Sequence, residues 1–183
     1  MFSFTTYTKS EVQQMLEAAS RTTRDIKPTK TSLAQKKLIE VSKHIYLFNG
    51  INNEDIIAIT NDVQFMEYAK DEVIFQEGDQ SDDIYFLLRG FLSVEVGAEQ
   101  KQVARISPME LFGEMAFITK RSRSATIRAL EDKSTVIKFV VDDDAYESST
   151  SFAFMRLYKN IATIVSKKLE ASNAVIAANL QDS

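Results

Sequence analysis

The sequence contains no cysteine and a single histidine, His44. Disulfides and thiolate metal sites are thereby excluded, and a histidine-based metal site lacks the residues to build it. His44 is read as a surface or interface residue. No apolar run approaches a transmembrane span, and the N-terminus lacks the charged-then-apolar layout of a signal peptide. No nucleophile–base pair, metal-ligand cluster or Walker loop is present, so the chain reads as a non-enzyme. The 22 basic and 26 acidic residues leave a net charge of −4, which gives no general pull toward nucleic acid. The expectation is a cytoplasmic protein with neither a nucleic-acid nor a membrane partner.

What is present is a globular composition, 44% hydrophobic and 26% charged over 183 residues. That length fits one ordinary domain with flanking helices. A first helix is expected over Tyr7–Ile26, with Val12, Met15, Leu16 and Ala19 as its apolar stripe and Pro28 as its stop. A second is expected over about Ser32–His44, carrying Leu33, Leu38 and Val41 toward Ile45. Asn53-Glu54-Asp55 opens a short third helix. From Val63 the apolar period changes to two. Strands are expected at Val63–Tyr68, Val73–Phe75, Ile84–Leu88, Phe91–Val96, Val103–Ile106, Ala125–Ala129 and Ser134–Val141, with a tight turn over Gly97–Gln100. Many short strands with frequent turns indicate a mainly β sandwich or barrel. The acidic run Asp142-Asp143-Asp144 reads as a solvent-facing helix start.

A long last helix runs from about Ser151 to Asn179 with two apolar stripes. One holds Phe154, Leu157, Ile161, Ile164, Ala171 and Val175, interrupted by Lys168. The other holds Tyr158, Ala162, Val165, Leu169 and Ile176. A helix lying on its own domain needs one stripe; two suggest a second client, such as another copy of the same helix.

Chemistry concentrates between Leu111 and Ala129. Gly113 permits a turn and close backbone approach, and Met115-Ala116-Phe117 can start a helix whose first N–H groups face an anion. Arg123 supplies a planar fork for two oxygens, with Ser124 and Ala125 small beside it. Glu114 cannot bind that anion but can accept from neighbouring hydroxyls. Taken alone, Glu114 and Arg123 would be read as a salt bridge on a barrel rim; the residues around them favour a ligand. Lys120, Arg121 and Arg128 are read as solvated charges that raise the local positive potential.

Phe112-Gly113-Glu114-Met115-Ala116 followed by Arg123-Ser124-Ala125 resembles the phosphate-binding cassette of cyclic nucleotide-binding domains. The resemblance extends upstream through Ile74–Asp79 and Ile84–Gly90, and covers roughly Leu47 to the C-terminal helix. It implies an eight-stranded jelly-roll β-barrel with N-terminal helices and a long C-terminal helix. The implied organisation is an N-terminal helical extension over 1–46, a binding barrel over 47–150, and a lid or dimerisation helix over 151–183. By the same resemblance Glu114 accepts the ribose 2′-hydroxyl and Arg123 pairs the exocyclic phosphate oxygens. Backbone N–H groups near Ala116 and Ala125 complete the cradle with the Ser124 hydroxyl. Val103, Ile106 and Met115 line ribose and base. Lys168 falls where the family meets the base edge.

The implied ligand is cyclic AMP, with cyclic GMP as the other candidate. The implied output is movement of the C-terminal helix toward an unidentified protein effector, with a homodimer through that helix. Ala177–Ser183 is too short for a helix-turn-helix module, so the expectation is a sensor that acts through a partner or belongs to a longer chain. The competing expectation is a nucleotide-free dimerisation and docking module that keeps the barrel as scaffold.

Overall fold

The computed structural model describes Gln13, residues 33–141 and residues 151–181. Apart from Gln13, the helix expected over Tyr7–Ile26 lies outside the described residues, as does the acidic run Asp142–Asp144. Helix α1 spans Leu33–Ser42, followed by a 3₁₀ turn at Tyr46–Phe48 and helix α2 at Asn53–Ile59. The Asn52 side chain caps α2 by accepting from the Asp55 N–H, one of the orphan donors of a first turn. Eight strands follow: β1 Thr60–Tyr68, β2 Val73–Phe75, β3 Ile84–Arg89, β4 Leu92–Val96, β5 Lys101–Ile106, β6 Leu111–Phe112, β7 Thr126–Ala129 and β8 Ser134–Val141. Helix α3, Glu114–Thr119, lies between β6 and β7, and α4 spans Ser151–Gln181.

Hydrogen bonding joins the strands into two antiparallel four-stranded sheets, ordered β1-β8-β3-β6 and β2-β7-β4-β5. The expected eight strands are therefore present as two sheets. Strand β6 is the one that periodicity does not reveal: two residues pair with Tyr85 and Phe86, too short for any pattern.

The run Ile84-Tyr85-Phe86-Leu87-Leu88 is buried along its whole length because both faces of its sheet are covered. Ile84, Phe86 and Leu88 join Ile137 and Phe139 in packing against Leu38, Val41, Phe48, Ile56, Phe154, Leu157 and Ile161 of the helical layer. Tyr85, Leu87 and Val136 face the other way, onto Phe75, Leu92, Ile127 and Ala129 of the second sheet. This is the period of two of a strand, used on both sides. Each fully buried Leu, Ile or Phe here contributes about 1.5–3 kcal/mol by leaving water.

Gly90 is needed where the chain crosses from β3 to β4. Its φ is +92°, and a Cβ there would meet the Ser134 Oγ at 2.4 Å. Helix α4 is tied to the 3₁₀ turn by a buried polar side chain, Asn160, which donates to the Leu47 and Asn49 carbonyls at 2.9 Å each. Of the two stripes expected on α4, Phe154, Leu157 and Ile161 are buried, whereas Leu169 and Ile176 are 61% and 54% exposed. Ile164 and Val165 are partly buried against the helical layer. No described helix is long and apolar enough to cross a membrane.

Candidate functional site

The corner between β6 and α3 is built on Gly113, which takes φ +78° as the N-cap of α3. Only glycine adopts that region freely. A Cβ at this position would also lie 2.8 Å from the Arg123 Nη1 and 3.1 Å from the Asp83 carbonyl. The absent side chain is thus the space through which Arg123 approaches.

Arg123 is 2% exposed. Its Nη1 donates to the Gly113 carbonyl at 2.8 Å. Its Nη2 donates to the Asp83 carbonyl at 2.9 Å and to the Ser81 hydroxyl at 3.0 Å. The guanidinium carbon sits 4.3 Å from the Phe75 ring centroid and 5.3 Å from that of Tyr85. The backbone is held by the same loop: Arg123 N–H donates to the Asp79 carbonyl, and Gly78 N–H donates to the Arg123 carbonyl. Ser81 passes the interaction on, donating to the Asp83 carboxylate, which is paired with Lys138 at 2.7 Å. For Lys138, burial works to lower the pKa, but the hydrogen bond and charge of Asp83 outweigh it and the pKa is raised. Burial raises the pKa of Tyr85, with Lys138 and Arg123 opposing.

One guanidinium nitrogen has no partner. The Nε of Arg123 is buried with no hydrogen-bond partner among the described residues. Leaving a buried charged donor unpaired costs at least about 1–3 kcal/mol, so an acceptor there would be strongly favoured.

Arg123 lines a cavity of about 550 Å³ between the second sheet, the β6–α3 corner and the outer half of α4. Every site residue expected from the sequence lines it: Gly113, Glu114, Met115 and Ala116 from the corner, Arg123, Ser124 and Ala125 from the approach to β7, Val103 and Ile106 from β5, and Lys168 from α4. Val103 and Met115 are each 55% exposed, apolar side chains held at the edge of a cavity where a flat apolar group could cover them. Glu114 is 4% exposed, and its Oε1 is 2.7 Å from the Lys168 Nζ. That ammonium also donates to the Leu111 carbonyl at 2.6 Å.

Two expectations for nearby charges change. Arg128 is not simply solvated: it pairs with Glu95 at 3.2 Å and donates to the Asp71 carbonyl and to Gln100. Lys120 is paired with Asp82 at 2.7 Å on the surface. Arg121 is exposed as expected. Sequence reasoning missed the residues that hold Arg123, namely Ser81, Asp83, Phe75 and Tyr85. The Glu77-Gly78-Asp79 turn and the Asp82-Asp83 pair before β3 were the signal that this loop had a task. It also missed Phe75, Val94, Glu110, Ala171 and Ser172 among the cavity walls.

Residues 65–143 match the family model described as the cyclic nucleotide-binding domain. That match bears out the resemblance carried by the cassette. The matched segment contains both sheets but for the first residues of β1, and the whole cassette. The chain is 29% identical over 99 residues to the cyclic AMP receptor protein of Thermus thermophilus, matching 52% of this chain and 46% of that one. It spans less than half the length of the curated relatives it matches. Among solved structures, the fold is shared with a cyclic nucleotide-binding domain from Methylobacillus flagellatus, with a TM-score of 0.60 and 18% identity over 79% of this chain and 83% of that one. It is shared too with the regulatory domain of Toxoplasma gondii PKA crystallised with cAMP, with a TM-score of 0.53 and 16% identity over 75% of this chain and 50% of that one.

Proposed function

We propose that the chain is a receptor for a cyclic purine nucleotide, cyclic AMP ahead of cyclic GMP, and that it regulates a protein partner or an attached effector through its C-terminal helix. The observation that carries this is the unpartnered, buried Nε of Arg123, a residue that lines the cavity. A guanidinium held by carbonyls on its other nitrogens is oriented before the ligand arrives, so little of the binding energy goes into ordering it. The exocyclic phosphate supplies the missing acceptor. Glu114 accepts the ribose 2′-hydroxyl, and Val103, Ile106 and Met115 cover the ribose and base. Ser124 and the N–H groups near Ala116 and Ala125 complete the phosphate cradle.

Support for the ligand class comes from the family match and from relatives whose names give it: a cyclic AMP receptor protein, and a kinase regulatory domain crystallised with cAMP. The two sheets are read as the halves of the family's jelly-roll barrel over 47–150, with 1–46 as a helical extension and 151–183 as lid and dimerisation helix. The exposed Leu169 and Ile176 support a second client for that helix, a second copy of this chain. The proposed location is the cytoplasm.

A second reading, a nucleotide-free docking module, draws on the Glu114–Lys168 pair, which gives the carboxylate a charge partner within the chain. Ligand-dependent melting separates the two. Cyclic AMP, cyclic GMP and a cyclic dinucleotide are added in turn at about one hundred times the expected Kd, where a one-site ligand stabilises by about 2.7 kcal/mol. A shift with cyclic AMP exceeding that with the others supports the receptor and its preference; no shift with any of them supports the docking module.

A further inference from the structure

Past Val165 every described side chain of α4 is exposed. Two lysines reach back from this stretch: Lys167 to the Tyr46 ring at 5.3 Å and Lys168 to the cassette. The Lys168 ammonium donates to the Leu111 carbonyl and the Glu114 carboxylate, 2.6 Å and 2.7 Å away. One cation therefore grips the chain on both sides of Gly113. The side-chain exposures are uneven, 42% for Lys168 and 6% for Glu114. The carboxylate has given up its water and needs a partner. An ammonium has three N–H donors and no acceptor, and these two contacts orient it firmly. A carboxylate has two oxygens, and Lys168 engages Oε1 alone.

We propose that Lys168 is a positioning residue that acts through Glu114. It holds Oε1 and so leaves the second oxygen as the acceptor for a ribose hydroxyl. It also makes the outer half of α4 a structural part of the site, because the clamp spans from helix to cassette. Lys168 on this account does not read the base. The inference rests on the cavity being a nucleotide site, and deepens that reading.

The test compares wild type with Lys168→Met, Lys168→Arg, Glu114→Gln and the Lys168→Met/Glu114→Gln double variant. Binding of cyclic AMP, cyclic GMP and 2′-deoxy cyclic AMP is measured by calorimetry. Lys168→Met is expected to weaken both ribonucleotides about tenfold and to the same degree, and to leave the 2′-deoxy ligand within about twofold. The double variant binds no more weakly than Glu114→Gln alone, since the two act as one unit. Lys168→Arg restores most of the affinity. A loss that is equal for ribo and deoxy ligands, or that differs between adenine and guanine, overturns the proposal, because Lys168 would then read phosphate or base.

A second arm needs no nucleotide. Hydrogen exchange over Ile161–Ile176 in the ligand-free protein should quicken alike in Lys168→Met and Glu114→Gln. Exchange that ignores both substitutions overturns the clamp. Exchange that responds in a protein binding no cyclic nucleotide leaves the clamp standing and overturns the reading of the cavity instead.

Discussion

Arg123 and Gly113, ten residues apart in sequence, are joined by a 2.8 Å hydrogen bond from the guanidinium to the glycine carbonyl. The bond exists because position 113 has no side chain: a Cβ would stand 2.8 Å from the same nitrogen. The two ends of the cassette are thus mutually dependent, one supplying the charge and the other the room for it.

Replacing Arg123 should consequently damage two things at once. Arg123→Ala removes the proposed phosphate partner and should weaken cyclic AMP binding by roughly tenfold to hundredfold. It also strips donors from the Gly113 and Asp83 carbonyls, costing about 1–3 kcal/mol of stability. Calorimetry and denaturant unfolding measure the two separately. Arg123→Lys should recover little of either, since an ammonium lacks the planar fork. Unchanged affinity in a folded Arg123→Ala protein would remove the phosphate assignment.

Gly113→Ala tests the other end. The positive φ costs a non-glycine residue roughly 1–2 kcal/mol, and the added methyl pushes Arg123 from its position. Melting temperature and nucleotide affinity should both fall. A protein that loses stability but binds normally would separate the turn from the ligand.

Glu114 is proposed to meet the ribose. Wild type should bind 2′-deoxy cyclic AMP less tightly than cyclic AMP, whereas Glu114→Ala should scarcely distinguish them, having already lost the contact. Equal affinity of wild type for both ligands would make the Glu114–Lys168 pair purely structural.

The outer half of α4 is assigned to coupling. Phe154, Leu157, Asn160 and Ile161 are packed, so the chain must be kept through them. A version ending at Ser166 keeps the packed turns, removes Lys168, and should fold. Linkage requires that a lid ordered by ligand also raises affinity for it, so this version should bind about 1–3 kcal/mol more weakly. Any self-association through Leu169 and Ile176 should disappear in sedimentation. Full affinity in the shortened chain would make the outer helix a bystander.

Alkaline titration probes the core beneath the site. The Tyr68 phenol is pushed up from 10.0 to about 12 by burial, with Tyr85 and Glu72 adding to the effect. Its folded-state pKa lies above the unfolded one, so the neutral form is favoured by folding. The stability this contributes is present below pH 10 and is lost between pH 10 and about 12. Phenolate absorbance against pH should show a late-titrating group that Tyr68→Phe removes.

Much of this architecture is readable from residue pattern. The apolar run Ile84–Leu88 is a buried strand, and Val73–Phe75 and Ser134–Val141 are found with the expected boundaries. The cassette residues line one cavity because their local order already encodes a turn, a helix start and a returning strand. What was illegible rests on contacts without residue-type signatures. The acceptors for Arg123 include two backbone carbonyls, and any residue has a carbonyl. Asn160 sits on an apolar face with nothing in its neighbours to announce the Leu47 and Asn49 carbonyls that receive it. Lys168 appeared as an interruption of a stripe; its partner Glu114 is fifty-four positions away, beyond the reach of periodicity.

The central claim is that this cavity binds a cyclic nucleotide through Arg123. Titrating the folded chain with cyclic AMP in a calorimeter, with Arg123→Ala under the same conditions, tests it most directly. The account predicts saturable binding of one nucleotide per chain by the wild type and binding at least roughly tenfold weaker by the variant. Absence of saturable heat in the wild type, or identical isotherms for the two proteins, would contradict it.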